Sequence, residues 1–350
     1  MSPVLRVISP GLLTTIQDIG RPGYQHLGIP VGGALDCVSL AAANALVGNA
    51  AGTGALEVAY TGPTLAVDAA DVRLSFAGAS ARIEVFEDEA ASEGKQIDTM
   101  RSIRLNRGQV VRVGSLRGGA VLYVAVEGGF RVEPVFGSQS TCIRGGFGGW
   151  QGRALSTGDE VPLIQDVASN RGECRLDGLD LSQPVRFRVI AGPQSDYFSE
   201  RAMTDFLQGN YTVRAGSNRM AMRLDGPPIN HIRGFNITSD AIAPGSIQIP
   251  GDGQPIVLLA DRQTTGGYPK IATVISADVP ALGRLPIGSK IAFELVTMEA
   301  ATAARRKLLA EISGLDDMIM PILRDDIDIT PRLSDLNLIS GAHDAHCFMI

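Results

Sequence analysis

Cysteine and histidine are scarce in this 350-residue chain. There are four of each, Cys37, Cys142, Cys174 and Cys347 beside His26, His231, His343 and His346, with no CxxC pair and no metal-like clustering. A structural zinc is therefore not expected. His343 and His346 could form a metal pair, but no third ligand lies near them. His26 and His231 stand in no pattern that would support a Ser-His-Asp or Cys-His arrangement, which disfavours covalent nucleophilic catalysis. The GxxxxGK[ST] spacing of a phosphate-binding P-loop is missing, as is an AMKM-type biotin-attachment motif. Any ATP would need an unfamiliar site or a partner's, and any biotin would arrive on another polypeptide. No apolar run reaches the roughly 18 residues of a membrane span, and the first residues lack a basic region leading into an apolar core. A cytoplasmic protein with reduced thiols is expected. Positive charge is not in excess either: the formal net charge is −6, so neither nucleic acid nor an anionic membrane is an expected partner.

What is present suits a globular protein rich in short strands. Hydrophobic residues make up 45% of the chain, and 41 Gly with 19 Pro break it into short segments joined by tight turns. Its length exceeds one core, so two domains are expected. Val4–Ile8 reads as a strand, and Leu12–Tyr24 as a loop presenting Gln17, Asp18, Arg21 and Tyr24. Asp18 and Arg21 could be site residues or a structural turn pair. Ser39–Val47 reads as a helix, with Asp36 suited to its N-cap. From Ala55 to Phe86 the pattern alternates like antiparallel strands, breaking at Thr61–Pro63 and Ala77–Ala79, and further strands follow at Ser102, Val110 and Val121.

Glu127–Leu163 is dense in glycine. Its polar members Ser138, Ser140, Thr141 and Arg144 have the composition of an anion cradle, although a Gly-rich loop closing a barrel fits as well. Trp150 reads as a packing anchor. An internal echo follows. Val72–Gly78 resembles Val185–Gly192, and Gly152–Val161 resembles Gly283–Ile291, in the same order, which suggests two modules of one kind joined by a polar linker at Asn170–Gln183. In the second module Ser195–Leu207 reads as a helix capped by Ser195, and Tyr211–Arg214 as a strand. Ser217, Asn218, Arg219 and Arg223 could grip a carboxylate, phosphate or bicarbonate, or tie the strand to an acidic neighbour.

The richest stretch is Asp261–Lys270, DRQTTGGYPK, between apolar runs at Pro255–Ala260 and Ile271–Ser276. It offers a carboxylate, a guanidinium, an amide, two hydroxyls and an ammonium, with two glycines that permit close backbone approach. Lys270 and Arg262 are candidate electrostatic stabilisers, Asp261 a candidate base or orienter, and Gln248 and Thr264 candidate substrate positioners. Gln17, Asp18 and Arg21 would complete a pocket between the modules. Asp261 and Arg262 could equally be a structural ion pair.

TTIQDIGRPGYQHLGIPVGGALD, GSQSTCIRGGFGGWQGRALSTGD, AGPQSDYF, SNRMAMRLDGP and PGSIQIPGDGQPIVLLADRQTTGGYPKIATVISAD together resemble the allophanate hydrolase subunit 2 family, also called KipA-like or biotin-dependent carboxyltransferase-like proteins. The likeness covers about residues 3–298. Ala221-Met222 stands where the family suggests a Gly-Tyr pair, and the tail is longer than the family core needs. The resemblance implies a mainly β fold of two cyclophilin-like β-barrel domains with a few short helices, over residues 1–180 and 181–298, followed by a helical and irregular extension over 299–350. It implies the C-type component of an ATP-dependent 5-oxoprolinase, working in a hetero-oligomer with a KipI-like (B-type) protein and a LamB/YcsF-type (A-type) protein to open a lactam or amide C–N bond. It also admits two alternatives: the carboxyltransferase component of a biotin-dependent urea or amide carboxylase, or a regulatory KipA-like protein bound to a kinase inhibitor.

Overall fold

The computed structural model describes residues 2–322; the expectations for His343, His346 and the end of the tail lie outside them. Among the described residues eleven antiparallel strands make one sheet: Val4–Ser9, Leu13–Gln17, Ala55–Ala59, Thr64–Asp68, Asp71–Phe86, Lys95–Ile97, Arg101–Asn106, Val110–Val126, Glu160–Pro162, Cys174–Leu176 and the late Ile319–Pro321. Two expected interruptions are absent. Asp71–Phe86 runs through Ala77–Ala79, and Val110–Val126 is a single strand that pairs with it. The turn signal at Gly78 is instead a bulge, where the register shifts between Gly78 and Ser80. Only glycine fits there, because φ is +122° and a Cβ would lie 2.9 Å from the Val121 carbonyl oxygen. The sheet gathers Leu5, Ile16, Val58, Leu74, Phe76 and Val124 into its core. On Ala77, Val121 and Tyr123 it carries the helix Cys37–Val47, which Asp36 caps at the Val38 amide as expected.

The second module is a closed barrel of seven strands: Arg186–Ala191, Tyr211–Val213, Ala221–Asp225, Ser246–Gln248, Ile256–Leu258, Lys270–Val274 and Lys290–Leu295. A parallel pairing of the first strand with the last closes it. Phe187, Val189, Ile247, Val257, Ile271 and Phe293 fill it, and the helix Glu200–Gln208 seals one end by stacking Phe206 on Phe293, 4.8 Å between centroids. That helix starts later than expected, because Ser199 accepts from the Ala202 amide as the N-cap while Ser195–Tyr197 forms a separate 3₁₀ turn.

Three further expectations change. Leu13–Gln17 is a strand paired with Ala55–Ala59 rather than part of a loop; its run LTTIQ is β-branched and buried on both faces, so alternation does not reveal it. The proposed linker contains Cys174–Leu176, which joins the sheet and receives Ile319–Pro321 after the helix Met298–Ser313. In the echo, the strand after the Gly-Arg turn pairs antiparallel with Val4–Ser9 in the first module and not with Val72–Gly78, whereas in the second module it pairs in parallel with Arg186–Ala191. Among the described residues no helix is long and apolar enough to cross a membrane.

Candidate functional site

A cavity of about 670 Å³ opens between the two modules. The sheet contributes Leu13, Gly28–Pro30, Cys142–Gly145 and Phe147; the barrel contributes Asn218–Met220 and Asp261–Thr265. Asn218–Met220 leads into the strand Ala221–Asp225 and Asp261–Thr265 follows the strand Ile256–Leu258, and the two segments are zipped together. The Asp261 amide donates to the Arg219 carbonyl at 2.9 Å, and the Leu259 amide to the Met220 carbonyl at 2.9 Å.

Arg219 joins the modules. Its Nε and Nη2 fork onto Asp261 at 2.8 and 3.0 Å, Nη2 also donates to the Gly33 carbonyl at 2.6 Å, and Nη1 donates to Glu57 on the sheet. Glu57 in turn accepts from the Tyr123 hydroxyl at 2.6 Å and the Leu35 amide at 2.8 Å. Arg219 and Glu57 are both buried. Burial alone would lower the pKa of Arg219, but the charges and hydrogen bonds of Glu57 and Asp261 outweigh it and raise the net value, so the guanidinium stays ionised. Burial, then the Glu57 charge, pushes the Tyr123 phenol well above its ordinary value, so it remains a donor. Arg284 to Asp36, at 3.0 Å, is a second buried tie between the modules.

Asp18 organises the wall behind the cavity. Its carboxylate accepts from the Gly20 amide at 2.7 Å, Ser138 Oγ at 2.6 Å, Ser140 Oγ at 2.5 Å and the Gln139 amide at 2.6 Å. Ser138 and Ser140 are thus consumed in a clasp, and of the expected anion cradle Arg144 alone faces the cavity. Gln17 pins the same loop through Thr141, its Nε2 donating to that carbonyl at 3.2 Å. Arg21 is 1% exposed, donates to the Ser140 and Val135 carbonyls, and lies 5.0 Å above the Phe147 ring, which lines the cavity. Burial lowers its pKa, and its Nη1 has no protein partner among the described residues.

The stretch Asp261–Lys270 divides in two. Asp261 to Thr265 line the cavity; Lys270 does not. Its ammonium, on a side chain buried in the barrel wall, donates to Asp240 at 2.7 Å and to the Ala241 carbonyl at 3.2 Å. Asp240–Ala241 pairs with Thr265–Gly266 in a two-stranded ribbon, so Lys270 holds from behind the ribbon that supplies Thr265 to the cavity. Asp261 pairs with Arg219 and not with its neighbour. Arg262 is 3% exposed, with Nε on the Ile242 carbonyl at 3.0 Å and Nη1 on that of Leu259 at 3.4 Å, and no carboxylate pairs with it among the described residues. Burial pushes its pKa down to about 10.

Gln248 is buried behind Gly266, with Nε2 unpartnered among the described residues; a Cβ on Gly266 would sit 2.5 Å from that nitrogen. Ser217 and Arg223 lie outside the cavity: Ser217, in the loop before the strand Ala221–Asp225, accepts at Oγ from the amide of Arg223, an exposed residue of that strand, at 3.0 Å. Of the sequence candidates, the fold gathers Asp261, Arg262, Thr264, Asn218, Arg219 and Arg144 on one cavity, with Gln17, Asp18, Arg21, Gln248 and Lys270 behind its walls. Sequence reasoning misses Glu57, although a lone carboxylate in the apolar run ALEVA signals a buried ion partner.

The chain matches the family model "Carboxyltransferase domain, subdomain A and B" over residues 27–295. It is 36% identical over 305 residues to the C subunit of 5-oxoprolinase from Escherichia coli (strain K12), covering 87% of this chain and 94% of that one. Among solved structures it is similar to TTHA0988, with TM-score 0.72 and 34% identity, spanning 83% of this chain and about half, 55%, of that one. It is also similar to the urea amidolyase of Kluyveromyces lactis, with TM-score 0.79 and 27% identity, covering 92% of this chain and 21% of that one.

Proposed function

The chain belongs to the carboxyltransferase domain family, subdomains A and B, and from that membership we propose that it works as the C-type component of an ATP-dependent 5-oxoprolinase. The observation that carries the reading is the 36% identity that runs through 94% of the corresponding E. coli protein. The partners in this reading are a KipI-like, B-type protein and a LamB/YcsF-type, A-type protein. The substrate class is a five-membered lactam bearing a carboxylate: water adds to the ring carbonyl, the C–N bond breaks, and the nitrogen leaves as an amine.

The cavity residues suit the binding and polarisation of such a molecule. Asp261, held by the Arg219 fork, acts as an acceptor that orients the amide N–H rather than as a mobile base, since both its oxygens are already engaged. Asn218, Gln263 and Thr264 supply neutral hydrogen-bonding groups on the same walls that can orient and polarise the carbonyl, and Arg262 adds a positive charge beside them. Lys270 serves as a positioning residue through the Asp240–Ala241 ribbon. ATP fits this donor set poorly. Among the described residues the one carboxylate on the wall is committed to Arg219, which leaves none there for the magnesium that accompanies a triphosphate. ATP is therefore assigned to the partner protein, and no step of this chain is routed through it.

A second reading keeps the cleft and changes the chemistry to carboxyl transfer, onto urea or a related amide, from biotin borne on another polypeptide. The likeness to the K. lactis urea amidolyase, TM-score 0.79 over 92% of this chain, supports it. Phosphate release by the chain reconstituted with its B- and A-type partners separates the two. Release that depends on 5-oxoproline and ignores urea is expected. Release with urea and bicarbonate in the presence of a biotin carboxylase partner, and none with 5-oxoproline, overturns the first reading.

A further inference from the structure

Arg262 is an expensive residue to bury. A guanidinium that is 3% exposed normally sits beside a carboxylate, as Arg219 does beside Glu57 and Asp261 and Arg284 does beside Asp36. Arg262 has only two backbone carbonyls, and its Nη2 makes no hydrogen bond among the described residues. It nevertheless lines the cavity. Around it the charges do not balance. Among the described residues Arg144 also lines the cavity and pairs with no carboxylate, and the one acidic wall residue, Asp261, is neutralised by Arg219. The cavity is thus locally cationic in a chain whose net charge is −6. The remaining lining is largely apolar, Leu13, Ile29, Pro30, Ile143, Phe147 and Met220, which keeps the dielectric low and strengthens attraction for an anion.

From these observations we propose that Arg262 is the seat of a carboxylate subsite, in which a planar carboxylate of the ligand supplies the counter-charge that the protein withholds. The planar fork suits a carboxylate better than a single ammonium would. Gln263, next in sequence and on the same wall, adds a neutral amide donor. The carboxylate could come from two sources, the substrate's own acid group or a carboxyl group in transit. The subsite itself does not depend on the proposed 5-oxoprolinase reading; the identity of the acid does.

Isothermal titration of the full-length chain, alone and with its B-type partner, tests this with 5-oxoproline, its neutral carboxamide, 2-pyrrolidinone and bicarbonate. The acid should bind at least about tenfold more tightly than the carboxamide or pyrrolidinone, the range of a charge-assisted hydrogen-bonded pair. Arg262→Met should abolish that preference, and Arg262→Lys, which keeps the charge and loses the fork, should reduce it. If the methionine variant does not fold, the lysine variant and the wild-type ligand series decide. Bicarbonate binding that is lost in the variants, with no preference for 5-oxoproline over its amide, keeps the subsite and rejects the 5-oxoprolinase reading. No acid preference in the wild type and no bicarbonate binding, or a preference unchanged in both folded variants, overturns the subsite.

Discussion

Replacing Arg219 with methionine should destabilise the protein by about 3–5 kcal/mol, the cost of removing one partner from a buried charge cluster. The upper part of that range is expected. The substitution strands two carboxylates, Glu57 at 3% and Asp261 at 13% side-chain exposure, and it also deprives the Gly33 carbonyl of its donor. Glu57 lies on the sheet and Asp261 on the barrel, so the loss also uncouples the modules. Urea denaturation followed by tryptophan emission and far-ultraviolet circular dichroism should change from one coincident transition to two separated ones. Trp150 packs against the sheet's core and reports on that module, while the dichroism reports on both. The sign with pH follows from the raised Arg219 pKa. Its contribution is fully present below the ordinary arginine value and is lost only as pH rises through the still higher folded value, so the difference between wild type and variant should be flat from pH 6 to 9. A loss below about 1 kcal/mol, with coincident transitions, would refute the view that this cluster couples the two halves.

Other consequences are separable. Asp18→Ala strands the Gly20 and Gln139 amides and two serine hydroxyls, so a loss of about 2–4 kcal/mol is expected in chemical denaturation, and a value near zero would contradict the clasp. Lys270→Met should increase deuterium uptake over residues 239–243 and 264–267 and raise KM about tenfold with a smaller effect on kcat; a pure kcat loss with unchanged exchange would make Lys270 a catalytic residue instead. Gly78→Val should cost about 1–3 kcal/mol from backbone conformation alone, with the 2.9 Å approach to Val121 added, and a neutral outcome in thermal unfolding would remove the bulge from the account. Arg262 stays charged below its lowered pKa of about 10, so the affinity for a carboxylate measured by titration should not vary between pH 6 and 8.

The elements legible in the sequence are those whose signals are local. Asp36 before an alanine-rich run marks the first helix, and turn residues bound Tyr211–Val213. The stretch DRQTTGGYPK is visible as polar chemistry between two strands, and five of its residues do line the cavity. What fails depends on tertiary partners. Lys270 looks like a free cation until Asp240, thirty residues earlier, is placed against it. Ser138 and Ser140 look like an anion cradle until Asp18 fills it. Asp261 looks like a partner for its neighbour Arg262, yet consecutive residues in a turn point apart, and Arg219 takes the carboxylate while Arg262 is left without one. Leu13–Gln17 escapes because both its faces are covered, which removes the alternation that would mark a strand.

The claim that the cleft at Asp261 is the working site is tested most directly by kcat/KM for 5-oxoproline-dependent turnover in the reconstituted complex. Asp261→Asn, inside the cleft, is to be compared with Arg223→Gln, at an exposed strand position outside it. A loss of about 100-fold or more in the first and less than about twofold in the second is expected. Asp261→Asn at wild-type efficiency, or a large loss in Arg223→Gln, would place the chemistry elsewhere.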